Sequence, residues 1–234
     1  MTNVIAIFGA GTGLGLSLAQ RYGRAGYHVA LVGHNPEHLK DLTEKLEEEG
    51  IETFGVTADL REVDSALSAV SAIREHFGRI DVLEYSPLPA QMGFVPALQL
   101  DAHTIETMSG IFLLSPVSII HEVLPEMVER NSGAIFLTHG ATVLHPSPNL
   151  SGIGTLQASV RHYLMSLKTE LADTDIVLGS AVITALIKRS ATAETIPESQ
   201  LAQIPSIDPD DIATTYWNMQ HGDGNFEVVL PAMS

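Results

Sequence analysis

Six residues near the N-terminus, Gly9, Gly11, Thr12, Gly13, Leu14 and Gly15, have the types and spacing to hold a pair of phosphates. Glycines let the backbone turn tightly and approach a charged ligand, and the free N–H groups and positive dipole end of a following helix face its charge. A glycine run alone says little, because any tight strand-to-helix turn uses one. Here both flanks fit: residues 4–8 form a short apolar strand and residues 16–22 continue as a helix without breakers. Further along, four side chains have chemistry suited to a proton step or to an anion. Tyr85 and Thr138 end apolar strands, His145 stands in the proline-restrained run His145-Pro146-Ser147-Pro148, and Arg161 lies on a helix. The arginine is no acid at neutral pH, but its planar fork suits a substrate carboxylate or a cofactor phosphate.

The elements that must position these residues alternate regularly. A second apolar strand covers 29–32 and ends in Gly33-His34-Asn35. Asn35 as cap, Pro36 in the first turn, Leu39, Leu42 and Leu46 on one face and Gly50 beyond the end mark a helix whose outer face is acidic and solvated. A third strand over 52–56 leads to Asp59-Leu60, and a helix follows around Val63, Val70 and Phe77. Strands are expected at 80–83, 133–138, 176–182 and 225–230. Between them, 101–131 reads as helix interrupted by Gly110, Pro116 and Pro125, with a break near Ser115-Pro116. This order predicts one doubly wound α/β domain spanning 1–234, with a parallel sheet of about seven strands and helices on both faces.

The G-x-x-x-G-x-G spacing of Gly9, Gly13 and Gly15, followed by this layout to the last strand, resembles the short-chain dehydrogenase/reductase family. The resemblance implies a nicotinamide dinucleotide in the crevice. Where NAD-preferring units carry an acid after the second strand, this chain has Gly33-His34-Asn35, so a 2′-phosphate meets no repulsion. His34 stands where the family often has a phosphate-binding Arg, which favours NADP(H) and leaves NAD(H) open; otherwise His34 is simply solvated and Asn35 only caps the helix. By position Asp59 and Leu60 border the adenine, though Asp59 also suits a helix start, and Ser86 and Pro87 border the ribose. Residues 187–207 correspond to the family's mobile substrate-covering segment. The family's dimers and tetramers form through the helices carrying Leu114 and Tyr163.

Its catalytic residues are another matter. The Asn-Asn-Ala-Gly that usually follows the fourth strand is replaced by Tyr85-Ser86-Pro87-Leu88, and Tyr-x-x-x-Lys by Leu156 and Val160. In the family that Lys lowers the Tyr pKa so that the phenol exchanges a proton with the substrate oxygen, and neither Leu nor Val does this. Tyr85 is then either a substituted proton donor or a wall residue against the nucleotide. Thr138, with His139 beside it, and His145 are further polar groups near the site, the last either a substrate neighbour or an exposed loop His.

Composition bounds the function classes. The chain has 234 residues, 45% of them hydrophobic, and a formal charge of −16 that disfavours nucleic acid and anionic membranes as partners. There is no cysteine, hence no disulfide or thiolate metal site, and the ten histidines show no ligand spacing, so no metal is expected. No uninterrupted apolar run or signal pattern stands out, which predicts a soluble, cytoplasmic protein. Three functions fit: an NADP(H)-dependent oxidoreductase of non-standard active site acting on a small carbonyl, quinone or imine, with Tyr85, Thr138 or His145 aiding the proton step; a catalytically inactive nucleotide sensor or scaffold; or an enzyme using another ligand on the same scaffold.

Overall fold

The computed structural model of the chain describes residues 2–89, 94–222 and 225–232. Seven strands form one sheet in the order β3-β2-β1-β4-β5-β6-β9, with every pairing parallel. They are β1 (Val4–Phe8), β2 (His28–Gly33), β3 (Thr53–Thr57), β4 (Val82–Tyr85), β5 (Gly133–Gly140), β6 (Ile176–Ile183) and β9 (Glu227–Leu230). Parallel strands covered on both faces need apolar side chains at every position, and β1 is buried throughout. Successive residues serve opposite layers. Val4, Ala6 and Phe8 join α3 (Val63–Phe77), α5 (Ser115–Glu129) and α6 (Ser151–Glu170), while Ile5 and Ile7 join α1 (Leu14–Gly23), α2 (Pro36–Glu48) and α9 (Pro209–His221). The strand order reverses between β1 and β4, and in such sheets the crevice beyond the strand ends at this point is where ligands bind.

The expected break before Pro116 is a turn of π-helix, Gly110–Leu114, between α4 (Ala102–Ser109) and α5. Its cause is local. The Ser115 N–H reaches back five residues to the Gly110 carbonyl, and the next position is proline, which has no N–H to give. The Ile111 carbonyl thus loses its helical partner. Gly110 itself is required here, because a Cβ would stand 2.0 Å from the Arg61 carbonyl oxygen. Taken together, Ala102–Glu129 is long and apolar enough by length and composition to cross a membrane, with an 18-residue stretch of mean hydropathy 1.5, a feature that its prolines hide from a search for unbroken apolar runs. In the fold Ile119, Ile120, Val123 and Met127 are spent on the core.

The segment expected to cover the site holds β7 (Leu186–Ile187), α7 (Ala191–Glu194), α8 (Glu198–Leu201) and β8 (Ser206–Ile207), with β7 and β8 pairing as a small parallel ladder. β5 runs two residues further than expected and includes His139 and Gly140. α3 begins at Val63 behind Glu62, so Asp59 does not cap it.

Candidate active site in the crevice between β1, β4 and β5

The glycine turn closes β1 onto α1. Gly9 has φ +96°, and a Cβ there would lie 2.6 Å from the backbone of Pro87, so only glycine lets the ends of β1 and β4 meet. The Gly9 and Ala10 N–H groups both donate to the Val32 carbonyl at 2.9 Å. Gly15 lies so close to Ala10 that a Cβ would stand 2.9 Å from the Ala10 Cα, while Gly11 faces open space. Gly13 sits at the helix N-terminus without a side-chain cap, and the N–H groups of Thr12, Gly13 and Leu14 find no acceptor among the described residues. Unpaired donors at a helix start, beside an open glycine, fit a phosphate. The covering segment already touches this turn: Thr12 Oγ1 donates to the Arg189 carbonyl at 2.6 Å, and Ser190 packs over Gly13. Arg189 is held there by Asp208 at 2.9 Å and Asp210 at 3.0 Å.

At the outer end of the crevice His34 is exposed, and Asn35 caps α2 by accepting from the Glu37 and His38 N–H groups. Arg61 folds back on Asp59 with guanidinium contacts of 2.6 to 3.1 Å and, with its own N–H, holds the Asp59 carboxyl below the usual range; His34 adds to that effect. Asp59 is therefore engaged, and Leu60 is buried in the core with its carbonyl accepting from Ser115. Arg61, exposed and cationic, is the residue at this end that sequence reasoning overlooked. Its signal was its place two residues after Asp59.

The proton-donor candidates separate. Tyr85 is buried, and its hydroxyl donates to the Ile111 carbonyl at 2.5 Å, the group that Pro116 leaves without a helical partner. Burial pushes its phenol well up. Its hydroxyl is thus engaged with the backbone while the residue lines the cavity beside Pro87 and Phe112. Thr138 turns to the other face of the sheet, where its hydroxyl meets Glu84 and Tyr216, each at 2.8 Å. His145 is exposed in the turn after β5. Arg161 is clamped by Glu227 through two contacts of 2.6 Å, with Ser180 bonding the same carboxylate, so its fork is committed within the protein. Ser86 donates its N–H to the Phe8 carbonyl and its hydroxyl to Glu84, which ties it to the rim beside Pro87 and Gly9.

What the crevice does present is His139. Period-two alternation puts its side chain on the face opposite that of Thr138, in a narrow cavity whose lining includes Tyr85, Pro87, Phe112, Thr138, Gln157 and Val160. It is 3% exposed, and its Nε2 has no partner. Burial lowers its pKa to about 4, so the ring is neutral at physiological pH. Gln157 stands beside it with Oε1 accepting from the Gly140 N–H at 3.1 Å, which fixes the amide. Leu156 and Val160 are buried in the core on the same helix. His139 thus lines this small cavity at the strand ends as a neutral imidazole whose Nε2 is unpaired, a group able to make one further hydrogen bond.

Residues 3–200 match the family model described as short chain dehydrogenase. The chain is 25% identical over 171 residues to a short chain dehydrogenase of Pseudocercospora fijiensis, a match that covers 73% of this chain and 55% of that protein. It is 27% identical over 225 residues to a serine 3-dehydrogenase of Rhizobium radiobacter, covering 93% of this chain and 88% of the other. Among solved structures, a metagenomic short-chain oxidoreductase in complex with NADP superposes with a TM-score of 0.80 at 19% identity, covering 99% and 98% of the two chains. With the family's glycine turn, its sheet order and a match running through most of the sequence, this chain belongs to the short chain dehydrogenase family.

Proposed function

We propose that the chain is an NADP(H)-dependent oxidoreductase that reduces a small carbonyl, quinone or imine compound with an active site built on His139 in place of the usual tyrosine and lysine. The observation that carries this reading is the buried, unpartnered His139 Nε2 in the crevice beside the glycine turn. The bound dinucleotide supplies the hydride. The N–H groups of Thr12, Gly13 and Leu14 hold the pyrophosphate, and His34 with Arg61 offers positive charge to a 2′-phosphate. Tyr85, Phe112 and Val160 exclude water from the cavity, and Gln157 orients the loop at Gly140. His139, neutral at the working pH, holds its Nε2 proton against the acceptor oxygen and stabilises charge that develops there. Water reaching the cavity mouth replaces the proton taken by the product.

Hydride acceptance by a reactive carbonyl or quinone needs positioning more than a strong acid, and this suits a site lacking a low-pKa phenol. A sensor or scaffold is the second reading, favoured by the apolar Leu156 and Val160 and by the bonded Tyr85 hydroxyl. The apolar side chains left exposed at Leu114, Val128 and Met165, on α5 and α6 or at their junctions, support a homodimer or homotetramer. The test is binding of NADPH and NADH to the purified protein, then cofactor oxidation against quinones, diketones, aldehydes and cyclic imines. Tighter NADPH binding with turnover is expected. Binding without turnover would select the sensor, and no binding of either nucleotide would refute both readings.

A further inference from the structure

Glu84 is fully buried in the middle of the sheet, one residue before the end of β4. Its strand neighbours in register are Ile7 and Phe136, and it faces the layer of α1 and α9. Four polar contacts run through it in a line. Ser86 Oγ lies 3.0 Å from Oε2, Thr138 Oγ1 2.8 Å from Oε1, Thr138 Oγ1 2.8 Å from the Tyr216 hydroxyl, and that hydroxyl 3.0 Å from the Leu137 carbonyl.

Each contact needs a proton between its two oxygens. The three hydroxyls bring one proton each, and the Leu137 carbonyl brings none. With Glu84 ionised, three protons serve four contacts and one pair of buried oxygens is left facing each other. With one proton on Glu84, every contact is filled: Ser86 donates to Oε2, Oε1–H donates to Thr138, Thr138 donates to Tyr216, and Tyr216 donates to Leu137. Nor does a cation among the described residues pair with Glu84 to hold a charge. Tyr22 from α1 and Tyr216 from α9 are the titratable groups that feel Glu84; both are pushed up by burial, with Glu84 contributing, and stay protonated. A lone buried carboxylate has a large desolvation cost, and the hydrogen bonds from Thr138 and Ser86 offset it only in part.

We infer that Glu84 is a neutral carboxylic acid and a positioning residue for the nucleotide site, its proton completing the chain that holds Ser86 at the crevice rim. Burial raises its pKa to about 8. Ser86 leads into Pro87, which packs on Gly9 of the phosphate turn. Loss of the proton leaves Ser86 donating to Oε2 but opens the chain at its Tyr216 end, and it puts a negative charge beneath a site meant for anions. The binding consequence rests on the nucleotide reading above; the protonation itself does not.

Two measurements test this. Infrared spectroscopy of the wild-type protein near pH 7, where ordinary carboxylates are ionised, is expected to show a protonated carboxyl band that disappears with an alkaline midpoint and is missing in Glu84→Gln. NADPH binding to the wild type is expected to weaken about tenfold between pH 8 and 9.5, following linkage to one proton, and to stay flat in Glu84→Gln, whose amide keeps a donor and an acceptor. Tyr216→Phe, which cuts the chain at its far end, is expected to lower the midpoint and serves if the Gln variant does not fold. Absence of the band from the wild type overturns the assignment. A band that titrates while NADPH affinity falls equally in wild type and Glu84→Gln overturns the positioning role. A protein that binds no NADPH at any pH refutes the nucleotide reading and with it the positioning role, while the infrared result still decides the proton.

Discussion

His139 provides a stability signature that requires no substrate. Its folded pKa is about 4 because of burial, against 6.5 for the free side chain. A lowered value means that stability is complete above the unfolded pKa and is lost as pH falls toward the folded one. At pH 5.5 the unfolded imidazole is about ten-to-one protonated while the folded one stays neutral, so the native state loses about 1.4 kcal/mol relative to pH 8, rising to about 3 kcal/mol below pH 4. The isoelectric point near 4.8 makes pH 5.5 the practical lower end. The assay is urea denaturation of wild type and His139→Gln at both pH values. All other titrating groups, Glu84 among them, are common to both proteins and cancel, and the fixed cost of the substitution cancels between the two pH values. The wild type is expected to lose about 1.4 kcal/mol more than the variant on going from pH 8 to 5.5. Equal losses would mean that His139 is hydrated or charged in the native state, and the reasoning that makes it the neutral donor of the crevice would fail.

Other expectations follow from the same contacts. Gly13→Asp places a side chain against Ser190, whose Cα is 3.1 Å from the added Cβ, and a negative charge at the unpaired N–H groups; calorimetry should detect no NADPH binding while circular dichroism stays native. Tyr85→Phe leaves the Ile111 carbonyl unbonded, so denaturation should show a loss of about 1 to 3 kcal/mol, while turnover of a good substrate changes less than twofold; a large fall in kcat at unchanged KM would restore Tyr85 as the donor. Replacing His34 and Arg61 with Ala should weaken NADPH by about three- to tenfold and leave NADH unchanged, since exposed charges act through modest screened attraction. An equal effect on both nucleotides would remove the 2′-phosphate role.

Local chemistry determined much of this protein directly. The order of apolar strand, glycine turn and helix at residues 4–23 is legible as a turn suited to a phosphate, because the steric freedom of glycine and the free N–H groups of a helix start are properties of neighbouring residues. The alternation of strands and helices similarly implied the layered parallel sheet. The choice between Thr138 and His139 depended on where β5 ends and which face each residue takes, and a shift of one residue along a strand reverses that. The sequence leaves Tyr85 open between proton donor and wall residue, and only the fold shows its hydroxyl bonded to a carbonyl 26 residues away that Pro116 leaves without its helical partner. Arg161 looked available for an anion until it met Glu227, 66 residues on, and the proton on Glu84 depends on Thr138 and Tyr216 arriving from two other elements. A side chain's type sets what it can do, but whether its donors and acceptors are already satisfied is decided by partners distant in the chain, and only the tertiary structure brings those together.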